Sequence, residues 1–150
     1  MTPLVIGVGN RWRGDDGIGP RTIEALARID DLDAELLTLD GEPARLVTAW
    51  QGRPRVVVVD AIAAGEPPGT IHVVTDLHRL PGAATDVSSH GGGIVEAVAL
   101  GRALGQLPER LLVVGVEPAE IGHGVELSPP VAASLDAVVR LVAEEVAPCA

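Results

Sequence analysis

Arg55 is followed by four consecutive valines, Val56 to Val59, and then by Asp60. Successive side chains of a strand point to opposite faces, so an unbroken β-branched run offers apolar groups to both sides of a sheet. Both sides must then be covered, which points to a parallel sheet with helices on each face. Three further runs read the same way: Leu4 to Val8 before Gly9, Glu35 to Leu39 before Asp40, and Leu111 to Val116. Thr70 to Thr75, entered from Pro67-Pro68-Gly69, reads as a fifth strand. His72 makes it less apolar, which suits an edge position.

Helical spacing fills the gaps. Ile18, Thr22, Ala25, Leu26 and Ile29 recur on one helical face, as do Ile94, Ala97, Val98, Gly101 and Leu104, with Gly105 as a stop. A weaker pattern covers Ala44 to Gln51. The last helix has Ser128 as N-cap and Pro129 in its first turn, then Val131, Leu135, Val138, Val139, Val142 and Val146 on one face. No repeat, low-complexity tract or linker interrupts the alternation. The 150 residues therefore read as a single α/β domain, residues 1–150, with a mostly parallel five-stranded sheet sandwiched between helices.

Composition removes whole mechanisms. The chain has no lysine, tyrosine or phenylalanine; all eleven basic residues are arginine. Schiff-base and phosphate-loop lysines are thereby excluded, as are aromatic platforms for stacking bases. The four serines lie at 88, 89, 128 and 134, none in a nucleophile elbow. Cys149 cannot form an internal disulfide and sits in the tail. A net charge of −10 argues against nucleic acid as a partner. No apolar run approaches the roughly 20 residues of a membrane span, and no secretory leader is apparent, so a soluble, cytoplasmic protein without membrane association is expected.

Chemistry must come from acids, histidines and backbone amides. The sharpest local feature is Gly7-Val8-Gly9-Asn10-Arg11-Trp12-Arg13-Gly14-Asp15-Asp16-Gly17-Ile18-Gly19, which leaves the first strand and enters the first helix. A dinucleotide fingerprint fails there, because Trp12 stands where the third glycine belongs and two aspartates would repel a pyrophosphate. Asp15 and Asp16 suit the helix dipole as a structural feature, or a cation as a functional one. Asp40 and Asp60 each end a buried strand, where open α/β sheets build their sites, although one such residue can simply cap a turn. Asp86 to Gly93 is a polar loop in which His90 stands beside three glycines. His72 sits within a strand, His78 and His123 lie in loops with no acidic partner at telling spacing, and all three are assigned no role.

The ordered set G-V-G-N-x-x-x-x-D-D-G-I-G, the strand ending in D-A-I, P-G-T, the Ser-Ser-His loop before a helix, and V-G-V-x-P followed by L-S-P resembles the nickel–iron hydrogenase maturation endopeptidases. The likeness runs from Leu4 to the last helix. It implies a three-layer α/β/α sandwich whose fourth strand, about residues 70–75, is antiparallel. It also implies that Asp16, Asp60 and His90 hold a divalent metal in a surface cleft, acting in both ligation and catalysis. Asn10, Asp15 and Asp40 are secondary cleft candidates. Arg11 and Arg13 flank Trp12 where several members carry apolar residues, which makes Trp12 a candidate partner contact. Two carboxylates and an imidazole suit nickel or zinc with open coordination positions, so nickel supplied by the substrate is the implied metal, with zinc or another divalent cation accepted in vitro.

The implied activity is removal of a C-terminal extension from a hydrogenase large-subunit precursor after nickel insertion. The alternative is a non-catalytic nickel-binding checkpoint module for the same precursor. A nucleotide-binding domain using the Gly7–Gly19 loop is a third reading, disfavoured by spacing and charge.

Overall fold

The computed structural model describes residues 1–81, 92–119, 121 and 124–148. Five strands, β1 (Leu4–Val8), β2 (Glu35–Leu39), β3 (Arg55–Ala61), β4 (Ile71–Val74) and β5 (Arg110–Val116), form one sheet in the order β2-β1-β3-β5-β4. The pairs β1–β2, β1–β3 and β3–β5 are parallel, whereas β4 runs antiparallel to β5 at the edge. Four helices, α1 (Ile18–Leu26), α2 (Pro43–Trp50), α3 (Gly92–Leu104) and α4 (Pro129–Val146), cover the two faces. No helix among the described residues is long and apolar enough to cross a membrane.

The valine run behaves as two-sided burial demands. Val56 and Val58 join Leu4, Ile6, Val8, Leu111 and Val113 in a core closed by Leu46, Val47 and Trp50 of α2 and by Ile94, Ala97 and Val98 of α3. Val57 and Val59 face the other way, joining Val5, Leu112, Val114 and Val116 against Ile18, Ile23 and Leu26 of α1 and Val131, Val138, Val142 and Val146 of α4. One strand thus supplies both cores, and β3 lies at the centre of the sheet.

Local chemistry sets the helix limits. Glu42 caps α2 through its carboxylate, which accepts from the N–H groups of Ala44 and Arg45, and Pro43 occupies the first turn. Trp50, fully buried, donates from Nε1 to the Gln106 carbonyl at 2.8 Å and so joins the end of α2 to the turn after α3. Gly105 stops α3 with φ of 65°. Ser128 does stand at the N-cap of α4, yet its hydroxyl makes no cap bond. It is drawn to Asp15 instead.

The sheet and α1 approach backbone to backbone. A Cβ at Gly19 would meet the Val8 carbonyl oxygen at 2.4 Å and the Val59 oxygen at 2.7 Å, both main-chain atoms that cannot yield. This contact seats the start of α1 over the ends of β1 and β3. Gly19→Ala is therefore expected to cost about 3 kcal/mol, measured as a lowered urea midpoint at unchanged m-value.

Candidate functional site

Because β1, β2 and β3 are parallel, their C-terminal ends lie together. The chain leaves β1 through α1 to reach β2 on one side, while the connection from β3 departs towards β4 and β5 on the other. The gap between the ends of β1 and β3 is thus a topological switch point, where ligands of open α/β sheets enter. A cleft of about 690 Å³ opens there. Val8, Gly9, Arg13 and Asp16 line it from the first strand and its loop, Asp40 and Gly41 from the turn after β2, Asp60 and Ala61 from β3, Ala63 from the segment after β3, Gly93 from α3, and Ile121 from the segment after β5.

The signature loop is folded tightly enough to aim Asp16. Gly9 has φ of 136°, and a Cβ there would meet the Asp16 carbonyl oxygen at 2.0 Å, so only glycine permits the turn. The Asn10 N–H donates to Asp16 Oδ2 at 2.7 Å, and Asn10 Oδ1 accepts from the Trp12 N–H at 2.9 Å. Asn10 therefore shapes the loop rather than entering the cleft among the residues that line it.

Asp60 is 7% exposed at the end of the central strand. Burial pushes its carboxyl well above the ordinary range, the Asp16 charge adds to this, and the Ala61 N–H offsets only part. Among the described residues no arginine is ion-paired with Asp60, so two acids share one mouth. Such a pair would welcome a cation.

The other acids have different fates. Asp40, at the rim, is paired with Arg45 at 2.5 Å. Its carboxyl is held below the usual range by the Glu42 N–H and by Arg45. Asp15, expected in the cleft, does not line it. It is 1% exposed, and its carboxylate accepts from the N–H groups of Ala119 at 2.8 Å and Ser128 at 2.7 Å and from the Ser128 hydroxyl at 2.8 Å. It clasps the signature loop to the segment between β5 and α4. The helix-capping view of the Asp15-Asp16 pair and the cation view thus separate: Asp15 satisfies buried donors while Asp16 faces the cleft.

Trp12 is 64% exposed, with the Arg11 guanidinium 5.4 Å from its ring centroid. Arg11 is also ion-paired with Glu24 of α1. Together with Asn10, Pro20, Thr38 and Leu39 these residues border a groove of about 360 Å³, which shares Gly9 and Asp40 with the cleft. His90, Asp86 and His123 lie outside the described residues. Among the described residues no group of three or more His, Cys, Asp or Glu side chains could hold a metal; Asp16 and Asp60 come as a pair.

One acid escaped the sequence reading. Glu117, directly after β5, is 4% exposed and accepts from three successive N–H groups, those of Ala64, Gly65 and Glu66, at 2.9–3.1 Å. His72, a strand histidine assigned no role from the sequence, meets it through Nε2 at 3.1 Å. The signal was present: Glu117 ends an apolar strand just as Asp40 and Asp60 do.

A small α/β/α protein with acids at the switch point defines a class of site rather than a single enzyme, and comparison with known proteins narrows it. Residues 20–145 match the family model described as hydrogenase maturation protease. The chain is 35% identical over 149 residues to the hydrogenase expression/formation protein HupD of Thiocapsa roseopersicina, covering 96% of this chain and 67% of that one. To the hydrogenase 2 maturation protease of Escherichia coli it is 32% identical over 146 residues, covering 95% and 88%. The solved structure of the hydrogenase maturating endopeptidase HybD from E. coli superposes with a TM-score of 0.79 at 29% identity, covering 95% of this chain and 90% of that one. The chain belongs to the hydrogenase maturation protease family, whose members are endopeptidases.

Replacing Asp60 tests its environment directly. A carboxyl with a raised folded-state pKa binds its proton more tightly in the fold than in the unfolded chain, so its contribution favours the fold at acid pH and is lost as pH rises above the ordinary carboxylate range. Asp60→Asn escapes that loss. The variant is expected to melt a few degrees above the wild type at pH 7, with the difference vanishing towards pH 3 in thermal scans.

Proposed function

We propose that this protein removes a C-terminal extension from the precursor of a nickel-containing hydrogenase large subunit, once nickel has been inserted. The nickel carried by that substrate is the feature recognised, and Asp16, Asp60 and His90 are the residues that recognise it. The observation that carries this reading is the pair of acids at the switch point, Asp16 at the cleft and Asp60 buried beside it with its proton affinity raised. His90 stands three positions before Gly93 in the sequence, and Gly93 lines the same cleft. Kinship with proteins called hydrogenase maturation proteases supports the substrate class.

The donor set fits a divalent ion: two hard carboxylate oxygens and a borderline imidazole, with positions left for other ligands. Zinc or another divalent cation would occupy the same groups in vitro. A metal bound there would supply Lewis acidity to a nearby carbonyl or water. The chain's own part is proton handling, since an ionised carboxylate of raised proton affinity can take a proton from an attacking water and then, as the acid, give it to the leaving amine. Among the described residues no serine, threonine or cysteine lines the cleft, which favours direct attack by water over a covalent intermediate. Metal recognition also accounts for selectivity in so small a protein, because one coordinated ion marks one mature precursor. Such processing belongs in the cytoplasm, where the precursor would be met before assembly.

Incubation with nickel-loaded precursor should show tail removal by the wild type and a loss of about 100-fold or more for Asp16→Ala, Asp60→Ala and His90→Ala. Precursor without nickel should remain uncut. Wild-type rates in all three variants would sink the site assignment. Trp12→Ala is expected to raise KM for the precursor several-fold with little change in kcat, as befits a partner contact remote from the chemistry.

A further inference from the structure

Asp60, Gly115 and His72 lie in one row across the sheet, Gly115 being paired with Asp60 on one side and His72 on the other. Paired residues in a row share a face, so Asp60 and His72 point to the same side, and Glu117, two residues beyond Gly115, joins them. Gly115 has no side chain, and Ile62 fills the space above it, where a Cβ would meet Ile62 Cδ1 at 2.5 Å. The segment after Asp60 therefore folds back across the end of β5. Main-chain bonds run along the crossing: Ile62 N–H to the Val116 carbonyl, Gly69 N–H to the Glu117 carbonyl, and Glu117 N–H to the Thr70 carbonyl.

Glu117 is the hub of that crossing. Its carboxylate sits in a nest of three consecutive N–H groups, at Ala64, Gly65 and Glu66, with His72 Nε2 at the remaining side. Burial pushes this carboxyl up, but the Ala64 N–H, His72 and the N–H groups of Gly65 and Glu66 outweigh it, so the anion is favoured. Ala63, the residue before the nest, and Asp60 and Ala61 are cleft wall. The wall is thus fastened by a charged residue that is not itself among the described residues lining the cleft.

We propose that Glu117 and His72 are positioning residues for peptide cleavage, holding the segment from Asp60 to Glu66 so that Asp60 meets the substrate in register. The inference rests on the assignment of Asp60 to the reaction. The geometry gives each partner a distinct share: Glu117 gathers the turn, and His72, anchored on β4, fixes where the carboxylate lies. Misplacement of a reacting group by about 1 Å can cost on the order of 100-fold in rate, so loosening this clasp should appear in kcat.

The test uses the full-length protein and nickel-loaded precursor. Glu117→Gln keeps the volume but turns one acceptor into a donor facing N–H groups. His72→Leu removes the ring donor, and His72→Gln returns an Nε2 donor on a side chain of similar reach. Expected are a kcat loss of about 10- to 100-fold for Glu117→Gln, about 10-fold for His72→Leu, and recovery to within about 3-fold of wild type for His72→Gln, all with KM within about twofold. Circular dichroism at the assay temperature supplies the folded fraction by which rates are divided. Wild-type kcat in Glu117→Gln and His72→Leu, or losses that vanish after that division, would overturn the positioning role. A rise in KM at unchanged kcat would overturn it too, since that marks a substrate contact. If Glu117→Gln does not fold, the His72 pair decides alone. Asp60→Ala runs beside them: if it cleaves normally, the assignment of Asp60 falls and the positioning role with it, whereas a dead Asp60→Ala with active clasp variants refutes the clasp alone.

Discussion

Two-sided burial of β3 is the constraint from which the site follows. A central parallel strand has helices on both faces and neighbours on both edges, so whatever residue ends it starts from a nearly dry position. Here that residue is Asp60. An aliphatic scaffold in which Val56 and Val58 serve one core and Val57 and Val59 the other supplies the stability against which one buried, repelled carboxyl can be held. The cost is local and the support is distributed, as expected where function departs from the rules of stability.

The acids of this chain illustrate how context divides one functional group into different jobs. Asp15 and Glu117 are anions satisfied by backbone N–H groups, and each ties down a connection beside the cleft. Asp40 is neutralised at the rim by an arginine. Asp16 takes one N–H from Asn10, and Asp60 has burial and a like charge against it. Asp15 and Glu117 hold connections in place, and the carboxyl of Glu117 is kept below the ordinary range by the N–H groups and His72 around it. Asp60 holds its proton more tightly than an ordinary carboxyl, and Asp16 shares the cleft with it.

Much of this was legible from residue order. Unbroken apolar runs revealed the buried strands because period-2 alternation fails only when both faces are covered, and His72 marked β4 as an edge. The strand-end rule found Asp40 and Asp60. What stayed hidden depends on distant backbone. Asp15 and Asp16 are adjacent and chemically identical, and it is Asp15 that bonds donors of Ala119 and Ser128 more than a hundred positions away and is withdrawn from the cleft. Glu117 and His72 are 45 positions apart with no spacing rule to connect them, and main-chain donors leave no trace in composition. Ser128 was placed correctly as a cap position, but its hydroxyl serves Asp15, a partner that helix-capping logic does not consider.

The contrasting placement of the two tryptophans has a practical consequence. Trp50 is sealed between α2 and the turn after α3 with its indole N–H bonded to a carbonyl, whereas Trp12 stands in solvent at the lip of a groove. With no tyrosine in the chain, near-ultraviolet emission comes from these two indoles alone. A blue-shifted, quencher-resistant component belongs to Trp50 and follows the integrity of the α2–α3 layer. A red-shifted, iodide-accessible component belongs to Trp12 and follows occupancy of the groove. The molecule therefore carries two optical reporters, one for its fold and one for its surface, without any label being added.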